Sequence, residues 1–599
     1  RGRSVAVKPV VLCLNRSGEE VARKVASLLG AELHGRENRT SCDVTFANTL
    51  DHARDLFAAG VPIVGVCASG ILIRAVAPLL SDKRSEPPVL SVSDDGTVVI
   101  PLLGGHRGAN RMARDIAQAL DAKAAVTTAG DIALGIALDE PPLGYRLANP
   151  EDAKDAMASL LSGEGVSLVG ENIFDIEDAG GSVELCVTDA PVKGGASKLV
   201  YHPQSYALGV GCARNADPDE LWDLVQKTLA DNGIAAGAIA CVNTIDLKAD
   251  EPAMNQLAAR LDVPLRLFTA AELEEQTPKL ANPSDVVFAE VGCHGVSEGA
   301  ALAAGGALVV EKVKTANTTC ALTRSDAPIT EFNGRARGRL SVVGIGPGQA
   351  AWRTPEVSKL VSQAEELVGY GLYIDLLGPL AAGKTRSDFP LGGEEDRCRY
   401  ALEQAALGKN VALVCSGDAG IYAMAALVFE LLDRGPDEHG VSDAAHRVDV
   451  VCSPGVSALQ GAAARAGAPL GHDFCAISLS DLLTPRADIV RRLKAAAEGD
   501  FVIAFYNPVS MKRRTLLAEA RDILLQHRPA DTPVMLASNL GRPTENVRYR
   551  RLDELEVDEV DMLTVVLIGS SNSRLAQLGE GPRMYTPRGY ARKIDGDLS

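Results

Sequence analysis

The residues with the clearest chemical potential are glycine clusters that follow short apolar runs in the C-terminal part of the chain. Leu340–Val343 leads directly into Gly344-Ile-Gly346-Pro347-Gly348. Glycine at such a position lets the backbone approach a ligand that a Cβ would obstruct. Similar clusters follow predicted strands at 416–422, 453–458 and 506–508. Because ligands of α/β sheets lie beyond the carboxyl ends of the strands, the four clusters together predict one ligand site.

Two nucleotide-binding motifs are approached here, but one fails in spacing and the other in structural context. The first turn would need glycine at position 349 for a dinucleotide fingerprint, and Gln349 stands there. Residues 378–385, GPLAAGKT, satisfy the P-loop expression, which needs a helix directly after it. Pro390 and two glycines follow too soon for a long helix. We therefore interpret this stretch as an ordinary surface loop.

The elements that must position these clusters alternate along almost the whole chain. Strand and helix pairs are expected at 10–14 and 19–29, at 61–66 and 71–80, and at 98–103 and 109–120. This alternation predicts a multi-domain α/β protein with parallel sheets and helices on their faces. Breaks in the pattern are expected at 188–205 and, more sharply, at 325–339.

Composition restricts the class of partner. The formal net charge of −18 argues against nucleic acid, because phosphate binding needs a basic surface. The twelve cysteines form no CxxC pair, so we expect buried reduced thiols and neither a metal site nor a disulfide framework. No apolar run approaches the ~20 residues of a membrane span. We expect a cytoplasmic protein that acts on a small molecule, with no membrane partner.

Residues 339–588 resemble the tetrapyrrole methylase family, and within it the precorrin-3B C17-methyltransferases. The resemblance rests on the GIGPG turn, SGDAGIYAMA at 416–425, the stretch at 453–485, FYNPVSMKRR at 505–514 and LTVVLIGSS at 563–571. SLSDLLTP at 478–485 indicates the C17 enzyme. The family often has proline at Ala419, threonine at Ser457 and tryptophan at Arg486, and the last departure affects the expected substrate pocket.

This resemblance implies two α/β subdomains with S-adenosylmethionine in the cleft between them, a homodimer, and methylation of C17 of precorrin-3B or cobalt-precorrin-3 with ring contraction. Proton transfer during contraction is assigned to Asp481, with a helix N-cap before Leu482 and Leu483 as the alternative. His472 is expected to be structural. The cofactor is expected to contact Gly346, Pro347, Gly417, Asp418, Gly420, Ile421, Ser457, Tyr506 and Thr564.

In the N-terminal half, the sequence GGHRGAN at 104–110 follows a predicted strand and opens an amphipathic helix, where amides can bind an anion. The alternative is a plain turn. Residues 61–131 resemble the N-terminal domain of the cobalt-precorrin-5A hydrolase family, on CASG at 67–70, Lys83, Arg84, His106 and Asn110, with Gly104 where that family has serine. The resemblance implies opening of a δ-lactone and release of a two-carbon fragment. His106 is the candidate for proton transfer or carboxylate binding.

Residues 207–324 resemble the C-terminal domain of the same family, on GVGCAR at 209–214, TIDLKADEP at 244–252 and GCHGVSE at 292–298. Lys248 and Glu298 lie beside glycine turns, although a surface salt bridge explains each equally well. The predicted division is 1–130, a middle region 131–205, 206–325, a linker 326–338 and the methylase 339–599.

The sequence thus predicts a bifunctional fusion in cobalamin biosynthesis, in which two nearby steps share one chain. Two alternatives belong to other classes. The N-terminal half could be a non-catalytic tetrapyrrole carrier, with the methyltransferase as the only enzyme. The C-terminal region could instead be an RNA-directed methylase of the same fold, against which the acidic composition and SLSDLLTP argue.

Overall fold

The computed structural model describes residues 7–42, 44–80, 86–127 and 137–594. Within these ranges the chain forms six β-sheets with helices between the strands, which confirms the predicted α/β class. The predicted parallel pairing is complete only in the sheet built from residues 339–453, because the others also contain antiparallel pairs. None of the helices in the described ranges is long and apolar enough to span a membrane. All twelve cysteines are free thiols.

The first sheet is built from residues near the start of the described chain. Its elements are β1 (Val10–Cys13), α1 (Glu19–Leu29), β2 (Glu32–Arg36), β3 (Val44–Phe46), α2 (Thr49–Ala58), β4 (Ile63–Val66), α3 (Ser69–Val76), β5 (Val89–Val92), β6 (Val98–Leu103), α4 (Ala109–Leu120) and β7 (Lys123–Ala124). The strand order is β3-β2-β1-β4-β5-β6-β7. Only β5 and β6 pair antiparallel, with Val89 opposite Leu103. The turn after β6 therefore lies at the edge where β5 begins, opposite the edge where β4 ends.

The second sheet has the order β8-β11-β10-β9, with β8 antiparallel to β11. Its elements are β8 (Tyr145–Leu147), α5 (Ala153–Leu161), β9 (Val166–Val169), β10 (Val183–Val187) and β11 (Lys198–Pro203). The predicted break at 188–205 is wrong in part, because β11 lies inside it and pairs with both β10 and β8.

The third sheet has the order β14-β13-β12-β16-β15. Its elements are β12 (Tyr206–Cys212), α6 (Pro218–Asp231), β13 (Ile239–Ile245), α7 (Pro252–Leu261), β14 (Leu265–Phe268), α8 (Ala270–Glu274), α9 (Asp285–Val291), α10 (Val296–Ala304), β15 (Ala307–Lys314) and β16 (Thr318–Arg324). Helix α10 lies so close to β12 that a Cβ at Gly209 would come within 1.9 Å of the Ser297 carbonyl oxygen. Only glycine fits that crossing.

The fourth sheet is fully parallel, in the order β19-β18-β20-β17-β21. Its elements are β17 (Arg339–Gly344), α11 (Pro355–Gln363), β18 (Glu366–Gly369), α12 (Gly371–Asp375), β19 (Thr385–Asp388), α13 (Glu394–Ala406), β20 (Asn410–Cys415), α14 (Ala425–Asp433) and β21 (Asp449–Ser453). A strand begins at Thr385, where a P-loop would need a helix, so the structure agrees that this stretch is not a P-loop. The ammonium group of Lys384 donates to the carbonyls of Ser362 and Ala364, so it is occupied by internal hydrogen bonds.

The remaining residues form a mixed sheet in the order β23-β24-β27-β25-β26 and a small sheet in the order β22-β29-β28. Their elements are α15 (Ala458–Ala466), β22 (Gly467–Ala468), β23 (Phe474–Ser478), α16 (Arg486–Glu498), β24 (Val502–Tyr506), α17 (Thr515–Leu525), β25 (Pro533–Ser538), β26 (Asn546–Arg551), β27 (Thr564–Ile568), β28 (Arg574–Leu578), β29 (Gly581–Tyr585) and α18 (Ala591–Ile594).

One apolar core joins the first sheet to the fourth. Buried residues of α2, such as Leu56 and Phe57, share a cluster with Val357 and Leu360 of α11 and with Leu377. Helix α2 packs against α11. Because a continuous apolar cluster behaves as one core, these two regions stabilise one another.

Helix α2 also carries a buried histidine. The ring of His52 stacks on Phe46 at 4.2 Å between centroids, and its Nε2 lies 2.9 Å from Nδ1 of His34. Burial, reinforced by the neighbouring His34, lowers the pKa of His52 to about 3. The folded chain therefore holds this ring neutral over a pH range in which an exposed histidine is charged.

We expect acid to destabilise the protein through His52. The unfolded chain binds a proton at the ordinary pKa of about 6.5 and the folded chain does not, so stability is lost as pH falls from 6.5 towards 3. Between pH 7 and pH 5 the loss amounts to about 2 kcal/mol. Urea unfolding of wild type and His52→Gln at both pH values measures it, with exposed His472→Gln as the control. An equal pH dependence in wild type and His52→Gln contradicts the assignment.

Candidate functional site

The first two glycine clusters meet at the carboxyl edge of the fourth sheet. Gly346, after β17, and Gly417, after β20, exchange two backbone hydrogen bonds of 3.1 and 2.9 Å. Both have positive φ, +78° and +68°, which glycine adopts at little cost. The predicted convergence of these turns is present in the structure, and it depends on backbone rather than on side chains.

The third cluster packs against the same point. A Cβ at Gly455 would lie 2.1 Å from the Gly417 carbonyl oxygen and 2.4 Å from that of Gly344, so no side chain fits there. The carboxylate of Asp418 accepts from the amides of Gly420 at 2.8 Å and Gly455 at 3.1 Å. Asp418 therefore ties two of the turns together, in addition to its expected contact with a ligand.

The mixed sheet closes over these turns from the other side. The guanidinium of Arg542 donates to the Pro347 carbonyl at 3.2 Å. The hydroxyl of Tyr506, at the end of β24, accepts from the Leu459 amide in the first turn of α15 at 2.9 Å. These contacts bring all four predicted clusters together where the mixed sheet meets the fourth sheet.

Three more of the predicted ligand contacts have defined environments. Ser457 caps α15 by accepting from the Gln460 amide and is buried. Thr564 is also buried, and its hydroxyl donates to Asp561 at 2.6 Å. Ile421 is exposed beside Tyr422 in the turn after β20. Burial raises the pKa of the Tyr422 phenol, which donates to the Ala476 carbonyl at 3.0 Å.

The SLSDLLTP segment begins at the end of β23 and continues as a loop to α16. Asp481 lies 3.8 Å from a guanidinium nitrogen of Arg486 and 3.6 Å from one of Arg513. Leu482 and Leu483 are 73% and 93% exposed in a turn. Since α16 begins only at Arg486, with Pro485 as its cap, the alternative interpretation of Asp481 as an N-cap is wrong.

Sequence reasoning missed the apolar surface that this loop presents. Met511, in the loop after β24, is 91% exposed, and Leu482 and Leu483 are also largely exposed. Asn507 donates to Ser478 at 3.1 Å and so joins the ends of β24 and β23, from which the two loops depart. The sequence carries one signal of this surface. The adjacent Leu482 and Leu483, between Asp481 and Thr484-Pro485, fit no helical periodicity. Exposed apolar side chains on two neighbouring loops indicate a binding surface.

In the N-terminal half, the structure separates the predicted motifs. The GGHRGAN turn lies at the edge where β5 begins, whereas Cys67–Gly70 follows β4 at the opposite edge. His106 lies in a 3-10 turn, Gly105–Arg107, but its side chain lies outside the described part of the chain, as do Lys83 and Arg84. Gly104 has φ +77°, and a Cβ there would lie 2.7 Å from Cα of Pro88. A serine does not fit this backbone.

Lys248 and Glu298, the two charged residues that the sequence analysis placed beside glycine turns, differ in role. Glu298 is buried rather than in a surface salt bridge, and it accepts from the amides of Ala281, Asn282 and Lys312. Burial alone raises the pKa of Glu298, but these hydrogen bonds outweigh it and lower the pKa overall. Lys248 does form an ion pair, 3.7 Å from the buried Glu251.

Comparison with known families agrees with both halves. Residues 51–131 match the family model described as cobalamin synthesis G N-terminal, and residues 206–323 match cobalamin synthesis G C-terminus. Residues 339–556 match the tetrapyrrole (corrin/porphyrin) methylases.

Individual relatives match the C-terminal region. A precorrin-3B C(17)-methyltransferase from Sinorhizobium sp is 46% identical over 42% of this chain and 98% of its own length. A cobalt-factor III methyltransferase from Priestia megaterium is 40% identical over 43% of this chain and 46% of its own length. The crystal structure of the methyltransferase CobJ is 38% identical over 42% of this chain and all of that chain, with a TM-score of 0.38. The chain belongs to the tetrapyrrole methylase family, and it carries both cobalamin synthesis G domains ahead of the methylase region.

Proposed function

We propose that the C-terminal region, 339–599, transfers a methyl group from S-adenosylmethionine to C17 of a precorrin-3B-type macrocycle, with ring contraction, in cobalamin biosynthesis. The observation that carries this proposal is the 46% identity to a precorrin-3B C(17)-methyltransferase over 98% of that protein. The contacts among the four glycine-rich clusters support it.

The backbone of these turns fits the methyl donor. Around the junction of Gly346 and Gly417 the strand ends carry main chain without Cβ atoms, so a ligand can approach the backbone closely. The residues that would hold it are Gly346, Pro347, Gly417, Asp418, Gly420, Ile421, Ser457, Tyr506 and Thr564. The hydrogen bonds of Asp418, Ser457, Tyr506 and Thr564 also support the surrounding loops. The bound donor supplies an activated methyl group, so the protein's part is to position it and to exclude water.

The acceptor is placed on the exposed apolar surface of Leu482, Leu483 and Met511. A tetrapyrrole has a large apolar face and carboxylates around its rim. The guanidiniums of Arg486 and Arg513 lie beside that surface and suit those carboxylates. Asp481 lies between the same two arginines and is our candidate for proton transfer near the carbon that leaves the ring.

The N-terminal half is proposed to open the δ-lactone of cobalt-precorrin-5A and release its two-carbon fragment. Support comes from the two cobalamin synthesis G domains and from the GGHRGAN turn at the start of α4, where His106 is the candidate catalytic residue. The competing function is a tetrapyrrole carrier without turnover, which the same domains would also permit.

We further propose a division of the chain at 130, 205, 325 and 338, and a cytoplasmic homodimer formed through the methylase region. Contacts of the linker 326–338 with the regions on both sides support its role as a connector. Arg335 exchanges backbone hydrogen bonds with Leu267, and Arg337 donates to the Arg447 carbonyl at 2.8 Å. Light scattering of the full chain decides between monomer and dimer.

Methyl transfer is tested with tritiated cofactor and the full chain. We expect label in precorrin-3B or its cobalt form, and none in ribosomal RNA. Arg513→Met should raise KM for the macrocycle about tenfold or more, because a charge-assisted hydrogen bond contributes ~1.5–3 kcal/mol. Lys494→Met, at an exposed position on α16, is the control. Label in RNA, or no label in either acceptor, contradicts the proposal.

Lactone opening is tested on the same full chain without S-adenosylmethionine, so that methyl transfer is silent. We expect acetaldehyde to be released from cobalt-precorrin-5A, and His106→Ala to abolish release while the macrocycle still binds. Binding by wild type without any acetaldehyde identifies the half as a carrier.

A further inference from the structure

The cofactor turn is held partly from outside the methylase region. Arg353 directly follows a 3-10 turn, Ala350–Trp352, and its side chain is 3% exposed. Its Nε donates to Ser358 at 2.9 Å, and a terminal nitrogen lies 3.5 Å from the carboxylate of Asp55. Asp55 lies on α2, in the first sheet's domain. A buried guanidinium needs a compensating charge, and here another domain supplies it.

The same 3-10 turn forms one wall of the glycine turn. A Cβ at Gly346 would lie 3.0 Å from the Trp352 carbonyl oxygen, so the two backbones are in close contact. The Trp352 ring packs near Gly461 of α15, and the guanidinium of Arg465 lies over it at 4.4 Å. The contacts therefore run from Asp55 through Arg353 and Trp352 to Gly346.

Burial acts on both members of the pair. It lowers the pKa of Arg353, and Asp55 opposes that change. It also raises the pKa of Asp55, and Arg353 opposes that change as the next largest cause. Each charge is therefore maintained largely by the other, and removal of the carboxylate leaves Arg353 buried and uncompensated. Rearrangement of Arg353 would move the turn that begins three residues before it.

A second contact between the same domains provides a comparison. The hydroxyl of Ser362, at the far end of α11, donates to the Ala59 carbonyl at 2.8 Å. Leu56, Phe57, Val357 and Leu360 fill the core between the two contacts. Ser362 therefore contributes to domain docking without a link to the glycine turn, whereas Asp55 contributes to both.

We propose that Asp55 is a positioning residue for the methyl-donor turn of the methylase region, acting through Arg353 and Trp352. The inference rests on the proposed function of the methylase region as a methyltransferase. It makes the cobalamin synthesis G N-terminal domain a structural part of the methyltransferase site, so that the two halves are coupled by contact and not only by a shared chain.

The test compares full-length Asp55→Asn, Asp55→Glu and Ser362→Ala. We expect Asp55→Asn to weaken S-adenosylhomocysteine binding in calorimetry, and to raise KM for S-adenosylmethionine, by about fivefold or more, with a smaller change in kcat. Asp55→Glu keeps the carboxylate and should restore most of the affinity. Ser362→Ala should leave affinity within about twofold of wild type. Equal affinity in folded Asp55→Asn and wild type overturns the proposal.

A second readout does not depend on the cofactor. The chain has two tryptophans, Trp222 and Trp352, so Trp222→Phe leaves Trp352 as the only reporter. In that background Asp55→Asn should shift the Trp352 emission and Ser362→Ala should not. If wild type binds no S-adenosylhomocysteine, the proposed function fails, and the emission still decides the role of Asp55. Should Asp55→Asn not fold, Arg353→Gln is used, because it removes the other charge of the pair, and unchanged emission and affinity in it overturn the proposal.

Discussion

The close approach of three main-chain segments at Gly344, Gly417 and Gly455 is the constraint on which the C-terminal region depends. A Cβ at Gly455 would overlap two carbonyl oxygens, so the carboxyl ends of β17, β20 and β21 can meet only without side chains. That meeting point fixes where the turns lie. The carboxylate of Asp418, the cap Ser457 and the hydroxyl of Tyr506 then hold the neighbouring loops around it.

The same constraint explains why the mixed sheet can close over the fourth sheet. Arg542 reaches the Pro347 carbonyl because Gly348 leaves room beside Gly541. On the opposite side, the 3-10 turn before Arg353 supports Gly346 and is itself supported by α2 of the first sheet. Substrate-facing groups such as Leu483 and Met511 remain exposed on loops that leave this rigid frame. Close-packed glycine turns with exposed apolar loops beside them suit a site that positions a donor against a large flat acceptor.

Much of the local structure was predictable from the sequence. The bounds of α1, β6 and α4 agree with the expected ranges because amphipathic periodicity decides them locally. The convergence of the glycine turns followed from the general rule about strand ends. By contrast, the sequence predicts a break where β11 lies, since only a short apolar run stands between Lys198 and His202 and the pairing partners of this strand lie on both sides.

Other features depend on tertiary context. The amides that bind Glu298 come from residues 281, 282 and 312, so no local pattern distinguishes it from a surface carboxylate. The apolar residues of α2 that face the methylase region look like ordinary core positions in sequence. The direction of β6, which places GGHRGAN at the edge away from Cys67, likewise follows from pairing and not from composition.

The most direct test of the account is calorimetric binding of S-adenosylhomocysteine to the full chain and to Gly455→Ala. Because the added methyl group would occupy the point where the strand ends meet, affinity is expected to fall by about tenfold or more, the range of an overpacked core position. Gly579→Ala, at a glycine with open space around its Cβ position, should bind as wild type does. Wild-type affinity in folded Gly455→Ala would show that the ligand does not lie at this junction.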